Sequence, residues 1–342
     1  MRISVVIPAF NAAGGIEETL KGLVRQSRIP DEIIAVDNGS SDDTAEKVKA
    51  FIKNNPSLKI ILHIEMKKGP AAARNSGVAI SSGDVLAFID ADEVPQEDWL
   101  SVLEGEFNRG AYAVCGPVSE HDTGNFLKKY LHVMQSAAMG KREIFKADVS
   151  NGRFLLAGNF GIKKNLFLQV GQFDENLHIG EDADLTKRIY RYGRPVVYNP
   201  KMAVVHNHKE TFKGRFRKAF STGMLQAMFL KNYFERGFYI VFSSRKSPAF
   251  TFPFKIKLHP FSILPLLVLI YMISMFDKTI AGFMALFLLM GVTLKVLSMA
   301  LKSGKKISLF NYIAFVLYWI VERLVFDIGK ISGSFRYRVI CI

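Results

Sequence analysis

The sequence predicts an α/β protein, a parallel, doubly wound sheet followed by C-terminal membrane helices. Three observations carry that expectation. Through the first 120 residues, short apolar runs take turns with amphipathic stretches. The apolar runs show little polar–apolar alternation, as befits strands covered on both faces. Beyond residue 260, two long stretches are nearly free of charge.

Taken in order, residues 3–10 (ISVVIPAF) read as the first strand, 15–26 as the first helix, 32–37 (EIIAVD) as the second strand and 42–54 as the second helix. Residues 59–64 (KIILHI) and 85–90 (VLAFID) are the third and fourth strands on either side of a helix over 71–80, and a helix over 96–107 leads to a fifth strand at 111–118. Strand and helix in alternation make a parallel sheet, because each helix returns the chain across a face. Such sheets bind ligands at the carboxyl ends of their strands, so the polar residues there are the functional candidates.

Charge is unevenly distributed. Of the 342 residues, the last 142 hold 21 Lys and Arg against five Asp and Glu, whereas the first 200 hold 24 against 26. A nucleic-acid-binding protein would carry its basic surface on the folded domain, so no nucleic-acid partner is expected. Cys115 and Cys341 are too few for a disulfide framework or a structural zinc site, which suits a reducing compartment. The first residues show no basic-then-apolar-then-small pattern, so no secretory leader is expected.

A hydrocarbon core of about 30 Å needs about 20 apolar residues per helix. Residues 260–276 carry no charge and 279–301 only Lys295. Buried core helices would share that composition, but the flanks favour a membrane. Arg245, Lys246, Lys255 and Lys257 precede the first run, Lys302, Lys305 and Lys306 follow the second, and only Asp277 and Lys278 lie between. Positive flanks stay inside, which predicts a hairpin in the cell membrane with the α/β domain on the cytoplasmic side. Residues 309–326, with Glu322 and Arg323 and a basic tail, are expected to lie in the interface rather than cross. The expected organisation is a folded domain over 1–240 with halves 1–120 and 121–240, a basic linker over 241–259 hinged within 243–253, a hairpin over 260–301, and a basic loop, an interfacial or third membrane helix and a tail over 302–342.

The first strand ends in Pro8-Ala9-Phe10-Asn11 and the second in Asp37-Asn38-Gly39-Ser40-Ser41-Asp42. A carboxylate there can accept hydrogen bonds from a nucleobase or ribose, while helix capping alone accounts for Ser41 and Asp42. Neither Gly-x-Gly-x-x-Gly nor a Walker-type loop is present, which weakens dinucleotide and P-loop readings. The fourth strand runs into Asp90-Ala91-Asp92, whose carboxylates project to one side of an extended chain. They suit Mg²⁺ or Mn²⁺ beside a diphosphate, or a solvated acidic turn. Gly180-Glu181-Asp182 opens a helix whose first turn favours acids on dipole grounds, and an acid there can equally serve as a base for an acceptor hydroxyl.

The order of Pro-Ala-Phe-Asn, Asp37, Gly69-Pro70-Ala71-Ala72-Ala73-Arg74-Asn75-Ser76-Gly77, Asp90-Ala91-Asp92 and Gly180-Glu181-Asp182 resembles the family 2 glycosyltransferases, which have the GT-A fold. The resemblance spans residues 2–207. It implies that Asp37 binds the nucleotide base, with Pro8, Ala9 and Asn11 lining the donor site. It places Arg74 near the diphosphate, Asp90 and Asp92 at the ribose and metal positions, and Asp182 as catalytic base. Glu181 and Asp184 would orient the base or touch acceptor hydroxyls. Gly158-Asn159 and residues 170–175 resemble the acceptor-side strand and turn. His206, two residues before His208, resembles a metal or diphosphate ligand and also reads as a surface pair. Arg215 and Arg217 could grip the leaving diphosphate or rest on anionic lipid.

Asn38 replaces a common Asp, and Ala12 and Ala13 stand where an acid often follows Asn11. The Gln-x-x-Arg-Trp motif of processive synthases is absent, which favours transfer of one sugar. The resemblance therefore implies inverting, metal-dependent transfer from a nucleotide sugar to a membrane-associated acceptor, a polyprenyl-linked glycan or other glycan or lipid. A polyprenyl-phosphate acceptor and a non-catalytic membrane scaffold are the alternatives.

Overall fold

The computed structural model describes residues 1–120, 125–138, 140–145, 155–177, 179–206, 211–233, 238–240, 256–258, 262–275, 277–304, 307–337 and 340–341. The chain divides into two compact units, Met1–Asp122 with Met139–Lys209, and Thr123–Ala138 with Glu210–Ile342.

The first unit runs β1 (Ile3–Ala9), α1 (Ile16–Val24), β2 (Glu32–Asp37), α2 (Thr44–Asn54), β3 (Ile60–Ile64), α3 (Pro70–Ile80), β4 (Val85–Ile89), β5 (Glu93–Pro95), α4 (Trp99–Asn108), β6 (Ala113–Cys115) and β7 (Val118–Glu120). After α5 (Phe126–Ala138), which belongs to the second unit, come β8 (Glu143–Phe145), β9 (Asn159–Lys163), α6 (Lys164–Gln169), α7 (Glu181–Arg191), β10 (Val196–Tyr198) and β11 (Val204–His206). The main sheet has the order β3-β2-β1-β4-β9-β6-β10-β8, and a small sheet has the order β5-β11-β7. Strands β1 to β4 pair in parallel, as expected, while β9 enters antiparallel between β4 and β6.

Because successive side chains on a strand point to opposite faces, each central strand feeds two cores. Ile3, Val5, Ile7, Ala9, Ile33, Ala35, Val85, Ala87 and Ile89 join one cluster with Leu20, Trp99 and Leu103 of the helices. Val6, Ile34, Val36, Leu86 and Phe88 join the other, with Val78, Phe160, Phe167 and Leu185. Phe88 stacks on Phe160 at 4.6 Å between ring centroids and meets Phe167 and Phe173 at 5.6 and 5.7 Å. The expected strand at 111–118 is broken into β6 and β7. At the break, a Cβ on Gly116 would lie 1.7 Å from the Met202 carbonyl oxygen, so another segment's backbone passes where a side chain would stand.

In the second unit, α8 (Phe212–Tyr233), α9 (Ile263–Ser274), α10 (Lys278–Lys302) and α11 (Leu309–Tyr337) join α5, and β12 (Phe238–Ile240), β13 (Ile256–Leu258) and β14 (Ile340–Cys341) form a three-stranded parallel sheet. The α10 and α11 helices, of 25 and 29 residues, each contain an 18-residue apolar window, of mean hydropathy 2.2 and 1.6, and are long and apolar enough to cross a membrane. Only 17% of each apolar window is buried, which separates them from the core helices of a soluble domain. The stretch expected to cross first holds a helix of 12 residues, about 18 Å long, and residues 309–326, expected as an interfacial or third membrane helix, are part of the 29-residue helix. Asp327 accepts the N–H groups of Ile263 and Leu264 at 2.8 and 3.2 Å, capping α9 from α11. The expected hinge at 243–253 and His208 lie outside the described residues.

Candidate active site

The site is assembled from the carboxyl ends of β1, β2 and β4 and the start of α7. The loops after β1 and β2 are tied together. Asn11 accepts the Ser41 N–H at 2.8 Å and gives its own N–H to Ser40 Oγ at 2.9 Å, while Ala12 and Ala13 donate to Thr44 and Asp42. Asp37, only 6% exposed, ends β2 opposite Ala9 and accepts the Ser40 N–H at 3.0 Å. Asn38 explains its own departure from the family pattern. Its amide nitrogen donates to the carbonyls of Glu65 and Lys67 at 3.0 and 2.7 Å, and its oxygen accepts the Gly69 N–H at 2.7 Å. An ionised aspartate has no hydrogen to give to two carbonyls.

That bridge sets the start of α3, where Pro70 occupies the first turn. One turn on, Arg74 is 3% exposed, and its guanidinium donates to Asp90 at 2.7 Å and to Glu181 at 3.1 Å while lying over the Phe173 ring. Burial alone would make Arg74 easier to deprotonate. The facing carboxylates of Asp90 and Glu181 outweigh it and hold the charge more firmly than usual. Arg74, expected near the diphosphate, is tied by its two terminal nitrogens to carboxylates 16 and 107 residues away in sequence, one of them the donor-side Asp90. Next to it, Asn75 pins the 173–175 turn, donating to the Phe173 carbonyl and Glu175 and accepting the Phe173 N–H.

Glu181 and Asp184, expected to orient the base or touch acceptor hydroxyls, are ion-paired: Glu181 with Arg74 at 3.1 Å and Asp184 with Arg188 at 2.6 to 2.8 Å. Asp182 sits between them at the first turn of α7, partly buried, and accepts the N–H of Ala183 at 2.7 Å. Burial first, and the charge of Glu181 second, push its carboxyl up to about 7, against the pull of backbone N–H groups and Arg74. A carboxyl held near neutrality is matched to taking a proton from a hydroxyl.

Asn159 is fully buried. Its amide nitrogen donates to the Pro117 and Met202 carbonyls at 2.9 and 2.7 Å and its oxygen accepts the Trp99 indole N–H at 2.7 Å. No surface is left for an acceptor, so this expectation is corrected: Asn159 joins β9, α4 and the 116–117 turn. Arg215 and Arg217 belong to the second unit, where Arg215 is held by Glu322 at 2.5 Å and Arg217 is exposed.

His206 stands directly across the small sheet from Glu93, whose carboxylate lies 3.2 Å from the imidazole Nε2. Glu93 is 1% exposed, and burial, partly opposed by the hydrogen bond from His206, pushes it up to about 7. Sequence reasoning passed over Glu93, although it directly follows Asp90-Ala91-Asp92. Among the described residues, no group of three or more His, Cys, Asp or Glu side chains is arranged to hold a cation. Carboxylate oxygens such as those of Asp92 are the donors that Mg²⁺ or Mn²⁺ takes when substrate phosphates complete its shell.

Residues 4–171 match the model of the family described as "Glycosyl transferase family 2". The pre-mycofactocin glycosyltransferase of Mycobacterium tuberculosis is 33% identical over 232 residues, covering 65% of this chain and 46% of the relative. The GalNAc(5)-diNAcBac-PP-undecaprenol beta-1,3-glucosyltransferase of Campylobacter jejuni is 29% identical over 192 residues, 56% of this chain and 60% of the relative. This chain thus spans about half the length (46%) of the Mycobacterium relative. A mannosyltransferase from Pyrobaculum calidifontis, solved with GDP-Man and Mn²⁺, superposes with a TM-score of 0.53 over 98% of this chain and 87% of that one at 17% identity, a likeness of fold. Motifs, sheet and family match agree that residues 4–171 form a glycosyltransferase family 2 domain.

Proposed function

We propose that this protein moves a single sugar, with inversion, from a nucleotide-sugar donor to a membrane-associated acceptor at the cytoplasmic membrane face. The observation that carries this reading is the bridge of Arg74 between Asp90 on the donor side and Glu181 beside Asp182. One buried guanidinium thereby fixes the spacing between the strand-end turn that receives the donor and the helix that presents the base.

Asp37 and the tied loops around Asn11 and Asn38 receive the nucleoside. Asp92 and His206 would hold Mg²⁺ or Mn²⁺, which supplies positive charge to the leaving diphosphate. Asp182 accepts the acceptor hydroxyl's proton as that oxygen attacks the anomeric carbon opposite the leaving group. One base suffices for inversion. The solved Pyrobaculum neighbour with GDP-Man and Mn²⁺ and the undecaprenol-linked glycan named for the Campylobacter relative support the donor and acceptor classes.

The exposed apolar surfaces of α10 and α11 support a membrane anchor, and Arg245, Lys246, Lys255 and Lys257, which precede the apolar stretches in sequence, support a cytoplasmic orientation of the preceding domain. Attachment raises the effective concentration of membrane-bound acceptors. The test is a donor screen on detergent-solubilised protein with several nucleotide sugars and Mn²⁺, read by nucleotide release. Metal-linked release from one donor class is expected. No binding and no release with any donor is the result expected of a non-catalytic scaffold.

A further inference from the structure

We propose that Glu93 is a positioning residue of the donor-side metal site, setting the His206 ring and the Asp90-Ala91-Asp92 turn for a divalent cation shared with a nucleoside diphosphate. The inference rests on the metal-dependent reading above and adds to it a residue outside the Asp-x-Asp motif.

A carboxylate taken out of water costs free energy unless its oxygens are hydrogen-bonded. Glu93 meets that requirement with two groups of the candidate site. Its Oε2 accepts the Asp90 N–H at 3.2 Å, and the Glu93 N–H returns to the Asp90 carbonyl at 3.1 Å, which closes the turn carrying both aspartates. Its Oε1 lies 3.2 Å from His206 Nε2, across the antiparallel register of β5 and β11. An imidazole whose Nε2 hydrogen is claimed by a carboxylate carries its lone pair on Nδ1, the form a metal requires.

The third observation is independent of those bonds. A Cβ on Gly158 would lie 2.7 Å from Asp90 Oδ2 and 2.8 and 2.9 Å from the two Glu93 oxygens. The backbone at Gly158 is therefore pressed against both carboxylates, and only a residue without a side chain leaves them where they are. A glutamate that merely filled the core would need neither the cross-strand histidine nor this bare backbone.

Glu93→Gln tests the arrangement, because one amide cannot serve both neighbours. With its oxygen towards His206 it turns NH₂ against the Asp90 N–H, and flipped it donates to Nε2 and moves the ring hydrogen to Nδ1. Gly158→Ala is the second variant, displacing the same carboxylates without removing a charge. Full-length protein in detergent is titrated with Mn²⁺ in the presence of UDP and, separately, GDP, and bound Mn²⁺ is examined by electron spin-echo spectroscopy for coupling to an imidazole nitrogen.

Wild type is expected to bind Mn²⁺ with that coupling. Glu93→Gln should bind about 10- to 100-fold more weakly with the coupling lost, and Gly158→Ala should weaken binding in the same direction. In a His206→Ala background the Glu93→Gln effect should shrink to its contribution through the Asp90 turn alone. Three results would overturn the proposal: Glu93→Gln binding within about twofold of wild type with the coupling intact, an equal effect of Glu93→Gln with and without His206, or wild-type bound Mn²⁺ lacking nitrogen coupling. Failure of wild type to bind Mn²⁺ with either diphosphate would overturn the metal-dependent reading itself and this inference with it.

Discussion

Replacing Arg74 should damage stability and catalysis together, in amounts the geometry sets. Its side chain is 4% exposed, while its partners Asp90 and Glu181 are 34% and 11% exposed. Arg74→Lys offers one ammonium in place of two separated N–H groups, so one charge-assisted bond is lost at about 1.5–3 kcal/mol. Arg74→Met leaves both carboxylates without a cation. Breaking a buried pair costs about 3–5 kcal/mol, and the partial exposure of Asp90 places the expected loss near the lower end, about 3 kcal/mol. At about 2–4 °C per kcal/mol, melting should fall by about 3–12 °C for lysine and about 6–12 °C for methionine. Differential scanning fluorimetry in detergent reads this directly. The methionine variant should also move the pH–rate midpoint upward, since the charge of Arg74 favours the ionised form of Asp182. Melting of Arg74→Met within about 1 °C of wild type, with an unmoved midpoint, would refute the bridging argument.

Three further outcomes are expected. For wild type, kcat should rise with pH through about 7 as Asp182 loses its proton, and Glu181→Gln should lower that midpoint by removing a neighbouring negative charge; a profile flat from pH 5.5 to 8.5, roughly 1.5 units either side, contradicts this. Burial would raise Glu32, but hydrogen bonds from Lys59, Ser4 and Ser82 overcome it and hold the carboxyl at about 2. A depressed carboxyl stabilises above its unfolded value of 4.5 and loses that contribution as pH falls towards 2, so Glu32→Gln should flatten the acid limb of a melting-temperature-against-pH curve. Deleting residues 260–342 should convert an alkali-resistant membrane protein into one released by alkali or high salt, read by fractionation and immunoblot, and continued resistance would place the anchor elsewhere.

Much of the sheet was legible because its central strands are buried on both faces, which writes unbroken apolar runs such as ISVVIPA and VLAFI into the sequence. The insertion of β9 between β4 and β6 was not, since an antiparallel strand recruited from some 70 residues away leaves no local periodicity. The break at Gly116 has the same origin, in a close approach by the Met202 backbone. At the site, carboxylates at strand ends could be named from position alone. Most of their partners could not: the bridging by Arg74 and the burial of Asn159 are set by packing between elements. Glu93 was legible only as the neighbour of Asp92, because its role depends on which residue stands opposite it on β11. In the second unit, apolar composition marked the greasy stretches, but helix length was decided by caps and breaks, with Asp277 starting α10 through the N–H groups of Thr279 and Ile280.

The central claim is that Asp182 serves as the base of a sugar transfer. Asp182→Asn keeps the shape of the side chain and cannot take a proton, so the measurement is its kcat beside its donor affinity, with the donor found by the nucleotide-release screen. A fall in kcat of about 10²- to 10⁴-fold with donor affinity within about twofold of wild type is predicted. An Asp182→Asn enzyme that turns over within about threefold of wild type would contradict the assignment and point to an acceptor oxygen, such as a phosphate, that needs no base.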